Sequence, residues 1–376
     1  MTGICWTQFR HTLHQFPELS NQETETSQRI MEQFHHFAPD KVVTGLGGSG
    51  LAFIYQGNKP GPTTLIRCEL DALPIDETNT FEHRSVHHGV SHKCGHDGHM
   101  AIVSSLGEML SQNRPASGRV ILAFQPAEET GEGAINMVND PKFTDMMPDY
   151  AFALHNYPGL PLGHVAVKSG PFNCASRGMI IRLQGKTSHA AHPENGVSPA
   201  LAMCNIISQL NTLPESLNER CWVTVIHAKL GEVAFGTAPG EAVVMATLRS
   251  ESNQTMQALV EAASSLAEQN AGRHGLSWSL EWQDVFQASV NSQQGCELVV
   301  QACRDTGTAY TLLDEPMRWS EDFGQFTQVA KQGAMFVLGS GRESPQLHNP
   351  DYDFPDDLTP VGRAIFFSLI ERINGF

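Results

Sequence analysis

The sequence predicts an α/β protein with a mixed, mostly parallel sheet flanked by helices, and with a ferredoxin-like βαββαβ domain inserted into the chain. Two observations predict this class. In the outer parts of the chain, short β-branched runs alternate with segments of helical periodicity, which is typical of a mostly parallel sheet. Between residues 174 and 288 the order is instead strand, helix, strand, strand, helix, strand. A length of 376 residues also favours more than one domain.

We therefore expect an outer domain of two chain segments, 1–173 and 289–376, with the inserted domain at 174–288. The run Thr63–Cys68 (TTLIRC) is apolar and β-branched, which indicates a buried strand. Apolar side chains recur every three or four residues from Gly98 to Leu110, which indicates a helix. The same reasoning predicts further elements in the first segment, namely helices at Cys5–Gln15 and Glu23–Phe37 and strands at Leu51–Tyr55, Arg119–Phe124 and Tyr150–Leu154.

The inserted domain and the second outer segment are predicted from the same patterns. The inserted domain has strands at Gly178–Leu183, Cys221–Leu230, Glu241–Arg249 and Ser277–Asp284 and helices at Ser198–Leu210 and Asn253–Ala271. Helix and strand patterns of the outer domain then resume at Gly295–Thr306, Asp322–Val329, Ala334–Leu338 and Pro360–Ile373. Because the outer pattern returns, we interpret the middle segment as an insertion.

The composition excludes some classes of partner. The chain has 24 Lys+Arg against 40 Asp+Glu, a net charge of −16, whereas nucleic-acid binding depends on clustered basic residues. No apolar run approaches membrane-spanning length, and Met1–Phe16 lacks the unbroken apolar stretch of a secretory signal. Eight scattered cysteines without a CxxC pair indicate reduced thiols. We expect a cytoplasmic protein without nucleic-acid or membrane partners.

Histidine is unusually frequent and unevenly placed. The chain has 17 histidines, and a dense group of them lies between His83 and His99. Such a stretch has two interpretations, a polar surface loop that binds metal only adventitiously or a built metal site.

Polar side chains follow three of the predicted strands. Thr63–Cys68 is followed by Glu69 and Asp71, Arg119–Phe124 by Glu128 and Glu129, and Tyr150–Leu154 by His155. Because ligands bind at the carboxyl ends of strands in open α/β sheets, we expect these groups to converge. The turn CGHDGH, residues 94–99, precedes the predicted helix, and thiolate, imidazole and carboxylate together suit Zn²⁺, Mn²⁺ or Ni²⁺.

With these motifs the sequence resembles the amidohydrolase branch of the aminoacylase and carboxypeptidase-G type metallopeptidases. That branch includes hippurate hydrolase, N-acetyl-diaminopimelate deacetylase and the plant auxin-conjugate hydrolases. The resemblance covers nearly the whole chain. The matching stretches are RHTLH at 10–14, PELS at 17–20, RCELDALP at 67–74, CGHDGH at 94–99, FQPAEE at 124–129, His155, GKTSHAAHP at 185–193, SEDF at 320–323 and LHNP at 347–350.

The resemblance implies a zinc-exopeptidase-like catalytic domain with a dinuclear site. Two divalent ions (Zn, Mn, Ni or Co) would be held by Cys94, His96, Glu129, His155 and His348. Ions of such pairs lie about 3.5–4 Å apart and activate a water molecule.

The resemblance also implies roles for other residues. Glu128 would be the general base that takes a proton from the water and returns it to the departing amine. Asp71 would orient a ligand. His189, in the inserted domain, would stabilise the oxyanion, often by reaching into the partner subunit. The inserted domain would serve as lid and as the surface of a homodimer. Asp97 and His99 are expected to be structural.

Four positions depart from the family pattern. Glu69 stands where the family has Asp, so it either changes how the ligands are held or reaches a metal itself. Lys93 replaces a small residue, and it either favours the thiolate of Cys94 or points away into solvent. Gly236 and Gly240 replace the Asn and Asp of the lid motif Asn-x-Ile-Pro-Asp, which leaves the acyl group and amino acid of the substrate open.

The expected activity is metal-dependent hydrolysis of the amide bond of N-acyl amino acids, such as N-acetyl or hippurate-like conjugates. One alternative is a dipeptidase or carboxypeptidase with the same site. A second alternative is a binding or scaffold protein with a degenerate site, but this would lack ligands that the sequence contains.

Overall fold

The computed structural model describes residues 4–376, which divide into two compact units. The first unit comprises the chain up to Phe172, Ser289–Pro316 and Glu321–Phe376. The second comprises Asn173–Ala288 together with Met317–Ser320. No sequence pattern indicated that this last short stretch leaves the outer segment and joins the inserted one.

Regular elements run through both units. Within residues 4–376 the strands are β1 (Lys41–Leu46), β2 (Gly50–Gln56), β3 (Lys59–Glu69), β4 (Ser117–Gln125), β5 (Tyr150–Pro158), β6 (Val165–Val167), β7 (Gly170–Asn173), β8 (Ala175–Gln184), β9 (Ser188–His189), β10 (Cys221–Leu230), β11 (Thr237–Ala238), β12 (Glu241–Ser250), β13 (Ser277–Phe286), β14 (Ser289–Asn291), β15 (Tyr310–Leu312) and β16 (Gln332–Gly341). The α-helices are α1 (Trp6–Gln15), α2 (Thr24–Phe34), α3 (His96–Gln112), α4 (Gly133–Asn139), α5 (Ala200–Thr212), α6 (Asn253–Arg273), α7 (Gln293–Thr306), α8 (Gly324–Val329) and α9 (Leu358–Asn374).

The first unit is built on an eight-stranded mixed sheet. Its strand order is β1-β2-β4-β3-β5-β16-β6-β15. The central strands β4, β3, β5 and β16 are parallel to one another, whereas β1, β2 and β6 run antiparallel to their inner neighbours. The three strands that the sequence placed before polar clusters are therefore adjacent, in the order β4-β3-β5, and end at the same edge.

Apolar burial explains where the helices of this unit lie. The strands β4 and β5, and β3 from Thr63 onward, bury nearly all their side chains, as parallel strands covered on both faces do. Helix α3 buries Met100, Val103, Leu106 and Leu110, which recur at helical spacing, in a core shared with α1, α7 and α9. This packing fixes the first turn of α3, where the histidine motif lies.

The second unit is a separate layer of sheet and helices. Its four-stranded antiparallel sheet has the order β10-β12-β8-β13. Helices α5 and α6 pack on one face, with Leu210, Leu259 and Ala263 fully buried. The element order βαββαβ and this strand order are the ferredoxin-like arrangement.

Several boundaries differ from the sequence-based expectations. His155 does not follow its strand but lies within it, because β5 continues to Pro158 by pairing with β16. Helix α3 begins two residues earlier than predicted and includes His96. The helix predicted at Asp322–Val329 is only Gly324–Val329. No helix within residues 4–376 combines the length and the apolar character needed to cross a membrane.

Candidate metal centre

Five of the predicted residues come together at the carboxyl edge of the first unit's sheet. Cys94 lies in the turn before α3, and His96 is the first residue of that helix. Glu129 follows β4, and His155 lies near the end of β5. His348 lies in the loop after β16, with its backbone N–H donating to Lys93 O at 2.8 Å.

The ligand atoms form overlapping groups small enough to surround an ion. Cys94, His96 and His155 offer three atoms within 4.8 Å of one another, and so do Cys94, Glu129 and His348. Cys94 Sγ is 3.4 Å from His155 Nε2, and Glu129 Oε2 is 3.8 Å from His348 Nε2. Because the thiol of Cys94 belongs to both groups, these five residues suit two ions that lie close together.

The hydrogen bonds of two histidines leave the correct nitrogen for a metal. His155 Nδ1 donates to Asn156 O at 2.8 Å, and His96 Nδ1 donates to Asp71 O at 2.8 Å. A neutral imidazole that donates from Nδ1 keeps its lone pair on Nε2. The buried His96 Nε2 and Glu129 Oε1 have no hydrogen-bond partner among the described residues. Buried polar atoms of this kind require another partner, and a divalent cation fits both.

Glycine is required in the turn that presents the thiol. Gly95 has φ of 92°, in the left-handed region, and precedes α3. A Cβ atom added there would lie 2.5 Å from Asn156 Oδ1. The absent side chain therefore lets the turn pack against the strand that carries His155.

The electrostatics of the cluster favour a bound cation. Burial and the charges of Glu129 and Glu128 raise the pKa of Cys94 well above its usual value. Burial raises the pKa of Glu129 to about 7. Burial lowers the pKa of His96, but the hydrogen bond that His96 donates to Asp71 and the surrounding carboxylates outweigh it and raise the pKa to about 10. The negative charges that would hold a proton on His96 also attract a metal ion.

Glu128 lies beside the ligands as a buried acid. Its Oε2 is 3.9 Å from His96 Nε2, and the residue is 5% exposed. Burial and the charge of Glu321, followed by that of Glu129, raise its pKa well above the usual value. A raised pKa makes a carboxyl group hold a proton more firmly, as a group that returns a proton to a leaving amine must do.

A family model describing peptidase family M20/M25/M40 matches residues 65–372, which is most of the chain. The chain belongs to this family. An N-acetyldiaminopimelate deacetylase of Lactobacillus helveticus is 30% identical over 379 residues, covering 98% of this chain and 97% of the relative. An N-acetyl-L-cysteine deacetylase of Bacillus subtilis is 30% identical over 365 residues, covering 95% of this chain and 85% of the relative.

A solved structure supports the same family assignment. The YXEP protein of Bacillus subtilis, described as a dinuclear metal-binding peptidase of the M20 family, is 25% identical and has a TM-score of 0.83. The match covers 98% of this chain and 97% of that chain. The predicted family, the mixed α/β fold class and the assignment to metal-dependent amide hydrolases are thereby confirmed.

In this M20 chain, Asp71 and Glu69 support the ligands in different ways. Asp71 Oδ2 accepts the backbone N–H of Glu129 at 3.0 Å. Glu69 accepts hydrogen bonds from Arg67 Nη1 and, at 2.7 Å, from His99 Nδ1. His99 Nε2 in turn accepts the backbone N–H of Asn156 at 3.2 Å. His99 thus uses both ring nitrogens in hydrogen bonds that connect β3 to β5, as a structural residue would.

A buried ion network behind Glu128 was not assigned a role from the sequence. Arg67 Nη2 donates to Glu321 Oε1 and to Asp322 Oδ1, both at 2.8 Å. Asp322 Oδ2 also accepts Gln125 Nε2 at 2.8 Å, at the end of β4. Arg67 lies in the motif RCELDALP, and Glu321 and Asp322 lie in SEDF. The presence of both motifs was the signal in the sequence that could have identified this network. The network ties β3, β4 and the segment before α8 together beneath the PAEE turn.

The Lys93 side chain points away from Cys94, but not into solvent. It is fully buried, and its Nζ donates to Glu77 Oε1 at 2.5 Å and to Tyr352 O at 2.8 Å. Glu77 is also buried and accepts from His14 Nε2 at 3.1 Å. Neither sequence-based alternative for Lys93 described this arrangement.

His189 lies in the second unit, exposed on the two-stranded sheet that β9 forms with β11. It is opposite Thr237 in the pairing of β9 with β11. The backbone N–H of Ala191 donates to His189 Nδ1 at 3.0 Å. The neutral ring therefore carries its proton on Nε2, where it is available to a ligand. Gly240 lets the chain after β11 approach the chain before β9, because a Cβ there would lie 2.4 Å from the backbone N of Thr187.

The other histidines of the dense cluster have different surroundings. His83 stacks on His11 with ring centroids 3.6 Å apart, and His88 is exposed beside Asp76. His92 is buried. Only His96 of this cluster joins the groups of ligand atoms described above, so the metal ligands are mostly remote from it in sequence.

Proposed function

We propose that the protein is a metal-dependent amidohydrolase that cleaves N-acyl amino acids into a carboxylic acid and an amino acid. The observation that carries this proposal is a buried acid, Glu128, beside two overlapping groups of metal-ligating atoms. The two deacetylases with 30% identity over nearly the whole chain support the same substrate class.

The residues present fit two divalent ions. Cys94, His96, Glu129, His155 and His348 would hold them, and their thiol, imidazole and carboxylate groups suit Zn²⁺, Mn²⁺, Ni²⁺ or Co²⁺. Ions bound there supply positive charge that polarises an amide carbonyl and acidifies a water molecule.

Glu128 performs the proton transfers in this proposal. Its carboxylate accepts a proton from the attacking water, which adds to the acyl carbon. The protonated carboxyl then donates that proton to the amide nitrogen, so that the C–N bond breaks and a neutral amine departs. Its raised pKa matches this double role, since an ordinary carboxylate holds a proton too weakly at neutral pH.

His189 is the proposed donor to the oxyanion. Ala191 directs the proton of the neutral ring to Nε2, which suits a group that stabilises negative charge on the former carbonyl oxygen. Its position in the second unit means that it can be removed without changing any of the proposed metal ligands.

The test combines metal removal with a substrate panel. The protein is dialysed against a chelator and assayed on hippurate, N-acetyl amino acids and unblocked dipeptides, before and after addition of Zn²⁺, Mn²⁺, Ni²⁺ or Co²⁺. The proposal expects chelator-sensitive, metal-restored release of the amino acid from N-acyl substrates. Hydrolysis of dipeptides alone would favour a dipeptidase, and activity that survives complete metal removal would contradict the mechanism.

We also propose a cytoplasmic homodimer that pairs through the second unit. The edge strand β10 and helix α5 expose Ile226 and Leu201, which are 62% and 67% exposed. All eight cysteines are free, as in reducing compartments. Sedimentation velocity should give a dimer that the pair of changes Leu201→Asp and Ile226→Asp converts to a monomer. A monomeric wild-type protein would contradict this proposal.

A further inference from the structure

The loop that carries His348 holds this residue in an unusual backbone conformation. His348 has φ of 66°, a left-handed conformation that side chains other than glycine seldom adopt. Its side chain is 52% exposed. The side chain of His96 is fully buried, and that of Glu129 is 14% exposed. A ligand in this situation needs neighbours that hold its backbone in place.

Lys93 contacts this loop at two points. Its backbone oxygen accepts the N–H of His348 at 2.8 Å. Its ammonium donates to the carbonyl oxygen of Tyr352, four residues further on, at 2.8 Å. Lys93, which is adjacent to the ligand Cys94, therefore forms a hydrogen bond with each end of the turn from His348 to Tyr352.

Glu77 fixes the ammonium that makes the second contact. Its Oε1 lies 2.5 Å from Lys93 Nζ, and its Oε2 accepts the backbone N–H of Ser85 at 2.7 Å. The side chains of Lys93 and Glu77 are 0% and 4% exposed. Because a buried ammonium is stable only with such partners, Lys93 has little freedom to turn elsewhere.

We propose that Lys93 is a positioning residue for the metal ligand His348. Its ammonium joins the His348–Tyr352 turn to the Cys94 turn, so that His348 and Cys94 face the same ion. This role differs from activation of the neighbouring thiol, because Nζ is engaged by Glu77 and Tyr352. An uncharged apolar side chain at position 93, such as methionine, keeps the backbone contact to His348 but removes the contact from the ammonium to Tyr352. The inference rests on the proposed ligand set.

The experiment measures zinc affinity rather than activity. Chelator-treated wild-type, Lys93→Met and His348→Ala proteins are titrated with Zn²⁺ against a competing chromophoric chelator. Wild type should bind two ions. Lys93→Met should weaken one of them about ten-fold or more, as loss of a group that orients a ligand does, and leave the other within about two-fold. His348→Ala should weaken the same single ion. Lys331→Met, at an exposed lysine that pairs with Asp149, is the matched control and should change neither.

Near-ultraviolet circular dichroism and the melting temperature establish that each variant is folded. If Lys93→Met does not fold, Glu77→Gln, which removes the charge that fixes the ammonium, should show a smaller loss at the same ion. Unchanged binding in the folded variant would overturn the inference, and so would equal weakening of both ions. Unchanged binding in His348→Ala would instead overturn the proposed ligand set, so the two failures are distinguishable.

Discussion

Asp71 holds Glu129 in place by accepting its backbone N–H through Oδ2 at 3.0 Å. The same oxygen accepts the hydroxyl of Ser20 at 2.7 Å. The backbone oxygen of Asp71 accepts His96 Nδ1–H at 2.8 Å. A single residue just after β3 therefore orients one proposed ligand from the turn after β4 and another from the start of α3.

We expect Asp71→Asn to weaken metal binding while the fold is kept. An amide of the same size cannot accept from both Ser20 and Glu129 with the strength of a carboxylate. Loss of such supporting contacts lowers metal affinity by about 10–100-fold. Zn²⁺ titration against a competing chelator measures the loss. Asp76→Asn, at an exposed carboxylate beside His88, is the control, and equal affinities in both variants would contradict the role of Asp71.

The change Glu128→Gln should separate metal binding from catalysis. The amide is isosteric but cannot accept a proton from water, and loss of a general acid–base group lowers kcat by about 10²–10⁴-fold. Metal content measured by mass spectrometry should stay at the wild-type value, because Glu128 is not a proposed ligand. Glu132→Gln, three residues beyond the PAEE turn, is the control. A variant that keeps wild-type kcat would exclude Glu128 as the base.

The sequence carried the information for the fold class and for the shared edge, because the periodicity of each element and the order of elements along the chain can be read from short segments. The convergence of the residues after β3 and β4 follows from parallel pairing alone. The placement of His348 does not, since its loop is fixed by Lys93 and by side chains remote in sequence. The same is true of Arg67, whose partners Glu321 and Asp322 lie more than 250 residues away. Such long-range ion pairs have no periodic signal.

His189→Ala should lower kcat without affecting the metal ions. Removal of one oxyanion donor costs about 10²–10³-fold in kcat, and His189 lies in the unit that contains none of the proposed ligands. Steady-state kinetics on the best N-acyl substrate give kcat and KM, and mass spectrometry gives the metal content. His192→Ala, in the same exposed loop, is a matched control. If both variants keep wild-type kcat, His189 is a surface residue of that loop.

Gly95→Ala should disturb the thiol turn. The added Cβ meets Asn156 Oδ1 at 2.5 Å, and φ of 92° is strained for alanine. Strain at such a position costs about 1–3 kcal/mol, so the free energy of unfolding should fall by this amount in urea. Binding of Zn²⁺ should weaken as well, since the turn carries Cys94 and His96. Gly159→Ala tests whether any left-handed glycine gives the same result, because nothing lies within 4 Å of a Cβ there. Equal effects of the two changes would mean that backbone strain alone, and not the contact with Asn156, explains the loss.

The pair of Glu77 and His14 should make stability depend on pH on both sides of neutrality. Burial raises the pKa of Glu77, but His14 and then Lys93 lower it more, to about 2 from an ordinary 4.5. Its stabilisation is therefore complete above pH 4.5 and is lost as the pH falls toward 2. Burial lowers the pKa of His14, but Asp97 and then Glu77 raise it to about 9 from 6.5. That contribution is complete below pH 6.5 and is lost as the pH rises through 9.

Urea unfolding of chelator-treated wild type and Glu77→Gln should therefore differ most between pH 4.5 and 6.5. The difference in the free energy of unfolding should reach at most about 3 kcal/mol, given 1.36 kcal/mol for each unit of pKa change. It should shrink at pH 3, where Glu77 begins to protonate, and again at pH 9, where His14 loses its proton. Glu343→Gln, at an exposed glutamate, should give a flat difference near zero at every pH. A Glu77 difference that is equally independent of pH would mean that packing, and not charge, accounts for the contribution of this buried carboxylate.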